Sequence, residues 1–231
     1  MSKPSHLIRT LISLLVIVVF VAPLTLLVSI YGTRLGYFDI ATGFGFIGLK
    51  LVPILSWVSL GAGALACLLL LRDRSAWPMA VIGLLIGVVM VGGVAYQTRS
   101  YGSAPRDVTT NLDDVPAFAG RLAHERRNMR APEHVSQTCE GLDPVNSQLA
   151  YESVAWGLDR AGVTVMGASP FRVDGWTEDN FYGVRHDVTV RIRPGRTDVR
   201  VSGRDSLPIG DQACELALKI VSAMNEAYLA Q

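Results

Sequence analysis

The stretch "DVTVRIRPGRTDVRVSGRD", Asp187 to Asp205, alternates apolar and polar side chains on both sides of a Pro-Gly pair. Alternation at period two marks strands with one buried face. Pro194 cannot adopt the positive φ that the first central residue of a type I′ turn needs, so a four-residue loop from Arg193 to Arg196 is expected. Ile192 then faces Thr197, Val190 faces Val199, and Val188 faces Val201. This makes one apolar face, which a one-residue slip would destroy. On the other face Arg191 meets Asp198, and Arg185, Asp187, Arg193, Arg200 and Arg204 share that side and leave it net positive.

Around the hairpin, "VTVMGA" and "FRVDGW" read as two further short strands. "SQLAYESVAWGLDRAG" places Tyr151, Val154, Ala155 and Leu158 on one helical face, and Gly162 stops it. "DQACELALKIVSAMNEAYLA" repeats Ala213, Leu216, Ala217, Ile220, Val221 and Met224 at helical spacing. "TTNLDDVPAFAGRLAHERR" reads as a helix start, with Asp113 or Asp114 as cap and Pro116 in the first turn. Residues 131–147 read as loop. The expected fold is α+β: an antiparallel four-stranded sheet with helices on one face.

The N-terminal part is a different kind of chain. Half of the residues are hydrophobic and only 18% are charged, and between residues 7 and 96 the only acids are Asp39 and Asp73. Leu11 to Ile30 carries no charge and is long enough for the roughly 30 Å hydrocarbon core. It exceeds a signal-peptide apolar region of ~7–15 residues, and "VSIYG" is a poor cleavage site, so it reads as an uncleaved anchor. Two more spans are expected, Leu51 to Leu71 and Trp77 to Tyr96, with Lys50 at the edge of the second. Tyr31, Tyr37, Trp77, Tyr96 and Tyr101 fall near span ends. "GAGALAC" and the Gly83, Gly87 pair supply small residues for close helix packing within the chain, and Cys67 in that stretch is a packing residue. The organisation is thus a three-helix membrane domain (1–98), a linker (99–106) and an α+β domain (107–231).

Lys3 and Arg9 precede the first span, and Arg72 and Arg74 crowd the short loop between the second and third. Positive charge concentrated there puts the N-terminus in the cytoplasm and the α+β domain outside. In an oxidising compartment Cys139 and Cys214 can form a disulfide; two separate packing cysteines are the other reading. A net charge of +1 argues against nucleic acid as a partner.

No catalytic set, metal site or cofactor motif emerges. His6, His124, His134 and His186 have no ligand spacing with the cysteines. "GFGFIG" (Gly43 to Gly48) follows no strand and leads into a membrane span, so it is not a dinucleotide motif. Strand alternation sends His186 to the face opposite Arg185 and Asp187, as a core or sheet-edge histidine.

From residue 104 to 225 the order of features resembles domain-of-unknown-function family 1499. The resemblance is carried by "PRDVTTNLDDVPAF" and by "HDVTVRIRPGRTDVRVSGRDSLPIGDQACELALKI". Arg200, Ser202, Arg204, Asp205 and Gly210 match the family's charged hairpin and the start of its last helix. "LPIGDQ" departs from the pattern by placing Pro208 and Ile209 where the family has Arg-Ser-Asp-Leu-Gly. "YGTRLGYFDIATGF" is similar to the membrane-anchored bacterial branch. The resemblance implies a membrane-anchored bacterial protein and leaves its activity open; with the charge distribution, a multi-pass inner-membrane protein with a periplasmic domain is expected.

Two readings of the charged face remain. It is a solvated sheet surface, or it binds an anionic partner (membrane lipid, a membrane or periplasmic protein, or an acidic envelope polymer) through Arg185, Asp187, Arg191, Arg193, Asp198, Arg200 and Arg204. On either reading Arg200 and Arg204 should tolerate reversal to Glu without loss of the fold. A lipid or small hydrophobic ligand held between sheet and helices, near Trp156, Leu158, Val190 and Leu216, is the alternative; a hydrolase is a remote one.

Overall fold

A computed structural model of the chain describes residues 5–71, 76–101, 104–207 and 210–229. Two compact units divide it, Met1–Arg99 and Ser100–Gln231. Lys3, Arg72, Arg74, Pro208, Ile209 and the side chain of Tyr101 lie outside the described residues.

In the first unit three helical stretches are long and apolar enough to cross a bilayer: His6–Arg34, Ala41–Leu69 and Trp77–Arg99. The first consists of α1 (Ser5–Val19) and α2 (Val21–Arg34). Pro23 explains the break, because it has no N–H to give to the carbonyl of Val19 four residues earlier. The buried hydroxyl of Ser59 donates to that carbonyl instead, at 3.0 Å. A bare carbonyl in apolar surroundings needs such a donor.

The second stretch begins at Ala41, well before the expected Leu51. A wide-turned π-helix, Ala41–Leu51, runs directly into α3 (Val52–Leu69), so Lys50 lies inside a continuous helix and not at its edge. Glycine makes the early start possible. A Cβ at Gly43 would overlap Thr33 Oγ1, and Ser29 Oγ donates to the Gly43 carbonyl at 2.6 Å. Helix α4 (Trp77–Tyr101) packs on α3 in the same way. A Cβ on Gly63 would come within 2.8 Å of Leu84 Cα, and one on Gly87 within 2.7 Å of Leu60 Cα. The small residues therefore serve packing within the chain. Leu24, Ile54, Leu68, Leu85 and Val89 point outward and are exposed, as lipid-facing residues of a lone chain would be.

The second unit holds a five-stranded antiparallel sheet in the order β1-β5-β4-β3-β2. Its strands are β1 (Asp107–Thr109), β2 (Thr164–Ser169), β3 (Arg172–Glu178), β4 (Arg185–Arg193) and β5 (Arg196–Gly203). The hairpin register is the one its valines require: Val188 pairs with Val201, Val190 with Val199, and Ile192 with Thr197. The turn is tighter than the expected four residues. Arg193 pairs with Arg196, and Gly195 takes the positive φ (73°) that Pro194 cannot.

The fifth strand is β1, placed by Val108 opposite Val201, between the expected linker and the expected helix, where no strand was anticipated. Residues 111–119 are not helical; the helix α5 spans only Gly120–Asn128. Helices α6 (Tyr151–Arg160) and α7 (Gln212–Leu229) pack on the valine face. Leu158, Val188, Val190, Ile220 and Met224 are fully buried in one cluster there. Gly157 lets the two helices close, since a Cβ would sit 2.9 Å from Met224 Cγ. Helix α5 lies against the opposite face, where its Arg126 reaches Asp187, so the helices are not confined to one side. A disulfide joins Cys139 to Cys214, tying the loop before α6 to the first turn of α7. Closing a chain segment of that length stabilises by about 4 kcal/mol in the loop-entropy account.

His186 is buried on the valine face, with no partner for Nε2 among the described residues. Burial lowers its pKa to about 4, with Asp179 and Asp187 pulling the other way. The unfolded chain protonates this ring below about pH 6.5. Folding stability on this account falls as pH drops from there toward the folded value, by about 3 kcal/mol in all, and levels off beneath it. Urea midpoints of the full-length protein at about pH 7 and about pH 4.5 will show the loss. His186→Leu will remove most of it.

Candidate anion-binding site

Strand alternation gives the sheet a second face made of Arg172, Asp174, Trp176 and Glu178 on β3, the odd residues of β4, and the even residues of β5. β1 adds Asp107 and Thr109, opposite Ser202 and Arg200. This face is not a solvated surface. Asp107, Thr109, Asp187, Thr189, Asp198 and Ser202 are all completely buried. What covers them is the segment after β1, which turns back across the sheet and enters α5.

Each buried carboxylate is held by guanidinium groups. Arg200 meets Asp107 with two nitrogens, Nε at 3.0 Å from Oδ1 and Nη2 at 2.8 Å from Oδ2, and Ser136 Oγ donates at 2.8 Å. Asp187 takes Arg204 on Oδ1, with Nε at 3.0 Å, and Arg126 of α5 on Oδ2 at 2.6 Å. Asp198 takes Arg191 at 3.1 Å, Arg193 at 2.6 Å and Arg196 at 2.6 Å. Burial alone would raise the Asp198 carboxyl; hydrogen bonds from Arg196, Arg191 and Asn111 reverse this and leave it below the usual range. Arg185 stands apart, paired with Glu178 at 2.5 Å and lying over the Trp176 ring.

The residues expected to form one positive surface therefore form three separate clamps. Sequence reading missed their partners. Asp114, expected to cap a helix, instead receives Arg191 at 3.1 Å and Arg193 at 2.8 Å, and these hold its carboxyl below the usual range. Main-chain oxygens complete the cover: Arg196 donates to Thr110, Arg191 to Asp114, and Arg200 to Pro116. Arg126 and Arg200 each lie over the Phe118 ring, their guanidinium carbons 4.5 and 4.7 Å from its centre. The available signal was the acidic and aromatic run "NLDDVPAF", which has the chemistry to cover a row of arginines.

One part of this assembly opens outward. Phe118, Arg126 and Arg200 line a groove of about 480 Å³, together with Arg127, Arg130, His134 and a single acid, Glu133. Arg127 and Arg130 are exposed and have no ion-pair partner among the described residues. Arg130 also has a φ of 50°, rare outside glycine. The cause is local. Ala131 N–H bonds to Arg126 O and Arg130 N–H to Arg127 O, a helix end whose left-handed position usually holds glycine. Arginine there costs about 1 kcal/mol of backbone preference.

The other candidates are less suited to binding. Leu158 and Val190 belong to the packed core, with Leu216 against it, while Trp156 is 47% exposed, so side chains fill the space between sheet and helices. His124 bonds to Asn128, and His134 Nε2 lies 3.3 Å from Asp205 O. Among the described residues no group of His, Cys, Asp and Glu is arranged for a metal ion.

Breaking a buried clamp from one side leaves an unpaired charge. Asp107→Ala or Arg200→Ala should each cost about 3–5 kcal/mol in urea unfolding. Removing the exposed Arg160–Glu226 pair should cost under about 1 kcal/mol. Arg200→Glu and Arg204→Glu, expected from sequence to spare the fold, would set a carboxylate against Asp107 or Asp187 and should prevent folding. Comparison with family models, with curated proteins and with solved structures found no match to this chain, so the reading of the site stands on its geometry.

Proposed function

We propose that this chain is a non-enzymatic, multi-pass inner-membrane protein whose second unit binds an anionic partner, either an acidic protein segment or an envelope polymer. The binding element is the groove of Arg126, Arg127, Arg130, Arg200 and His134, narrower than the whole arginine face. One observation carries the reading. The arginines that hold the three buried aspartates are each matched to a carboxylate, whereas Arg127 and Arg130 have no ion-pair partner among the described residues and Arg130 occupies a backbone position that disfavours it. Arg126 and Arg200 are only 11% and 17% exposed and act as the groove's rigid floor.

Orientation belongs to the same proposal: N-terminus in the cytoplasm, second unit in the periplasm. The positive charge of Lys3, Arg9, Arg72 and Arg74 supports it. So does the Cys139–Cys214 disulfide, a bond that persists in oxidising compartments. Membership of domain-of-unknown-function family 1499 is proposed with it, on the resemblance of the hairpin and the "NLDDVPAF" run.

Cross-linking in native membranes followed by mass spectrometry tests the groove. Arg127→Glu with Arg130→Glu should abolish the cross-linked partner while circular dichroism and the urea midpoint stay unchanged. Arg130→Gly should stabilise by about 0.5–1 kcal/mol and still weaken the cross-link. An undiminished cross-link in both variants would overturn the reading. Thiol labelling of whole cells tests orientation: Cys139 and Cys214 should react only after reductant.

A further inference from the structure

Five buried side-chain atoms have no hydrogen-bond partner among the described residues, and four of them fall on one patch: Arg172 Nε, Asp174 Oδ1, Thr189 Oγ1 and Arg191 Nε. The register explains the clustering. Arg172 sits opposite Arg191, and Asp174 opposite Thr189, so the four residues are the corners of one square on the polar sheet face. Each orphaned polar group costs about 1–3 kcal/mol unless something pairs with it. Among the described arginines of this face, Arg172 alone forms no close ion pair, its charge reaching Asp174 only at longer range; Arg185, Arg191, Arg193, Arg196, Arg200 and Arg204 all form one.

Arg172 and Asp174 open into a groove of about 320 Å³, between the start of α5 and the edge strand β2. Its remaining wall is Leu122, Met166, Ala119, Ala168 and two glycines, with Ser169 and Arg121 as the other polar residues, the latter paired with Glu125 at 3.1 Å. The site thus joins a guanidinium without a close ion pair, Arg172, to a largely apolar surface. We propose that this groove binds a small amphipathic carboxylate, its anionic head on Arg172 and its apolar body against Leu122, Met166 and Ala168. The guanidinium fork matches the planar carboxylate. Burial pushes the Asp174 carboxyl up from its ordinary range, against the opposing pull of the Thr189 hydroxyl and the Arg172 charge, which weakens its repulsion of an anion. The volume is at the small end of ligand sites, which selects a short apolar body over a long acyl chain. None of the unmatched arginines of the larger groove lines this one, so the two proposals stand or fall separately.

The test uses the full chain in lipid nanodiscs with hexanoate as probe and hexanamide as its neutral counterpart, read by saturation-transfer NMR and titration calorimetry. Hexanoate should bind saturably, and hexanamide at least about tenfold more weakly. Arg172→Gln should weaken hexanoate by at least about tenfold, while Arg160→Gln on α6 leaves it unchanged. Ala168→Trp fills the groove from an exposed strand position, so it should block hexanoate even if Arg172→Gln fails to fold. Equal affinity for the two probes, or hexanoate binding that survives Ala168→Trp, would overturn the assignment.

Discussion

Three aspartates with no solvent access, Asp107, Asp187 and Asp198, govern the second unit. Moving one carboxylate out of water costs several kcal/mol even after relaxation, so each must be paired and hydrogen-bonded on every side. That demand recruits Arg200, Arg204, Arg126, Arg191, Arg193 and Arg196, and then a covering segment to keep water off them. A sheet with one apolar face and one charged face would ordinarily leave the second in water. Here both faces are covered, one by the valine core beneath α6 and α7 and the other by ion pairs beneath residues 110–128.

The cover has irregular backbone for the same reason. A helix through Asn111–Ala119 would tie up its own carbonyls, yet those of Thr110, Asp114 and Pro116 are what Arg196, Arg191 and Arg200 bind. The arginines therefore select an extended path, and only beyond Ala119 can the chain begin α5. Asp187 then fixes α5 in place through Arg126, and the Phe118 ring packs against both Arg126 and Arg200 at the turn. The groove beside Arg127 and Arg130 is what remains where this cover ends.

Legibility follows the range of the interaction. The valine register could be read because strand periodicity is local and a slip exposes every apolar residue at once. The faces of α6 and α7 were legible on the same footing. β1 was not: the three residues Asp107–Thr109 carry too little pattern, and their pairing with β5 spans most of the second unit. The covering role of "NLDDVPAF" was hidden because a helix-cap reading of Asp114 and Pro116 is locally sound and is lost only to arginines far along the chain. In the first unit the early start of the second apolar helix was masked by its glycines, of which Gly43 suggests a loop until a neighbouring helix needs to approach that closely.

The ion-pair pattern also separates structural charge from candidate functional charge. An arginine matched to a buried aspartate is explained by the fold, and its removal reports on stability, so it says little about binding. Arg127, Arg130 and Arg172 have no such account. Arg130 bears a backbone cost that glycine would remove, and Arg172 leaves a buried nitrogen without an acceptor. Folding favours neither arrangement. In a chain that matches its other sheet-face arginines so closely, these unmatched positions are where an anion supplied from outside would complete the arithmetic of charge.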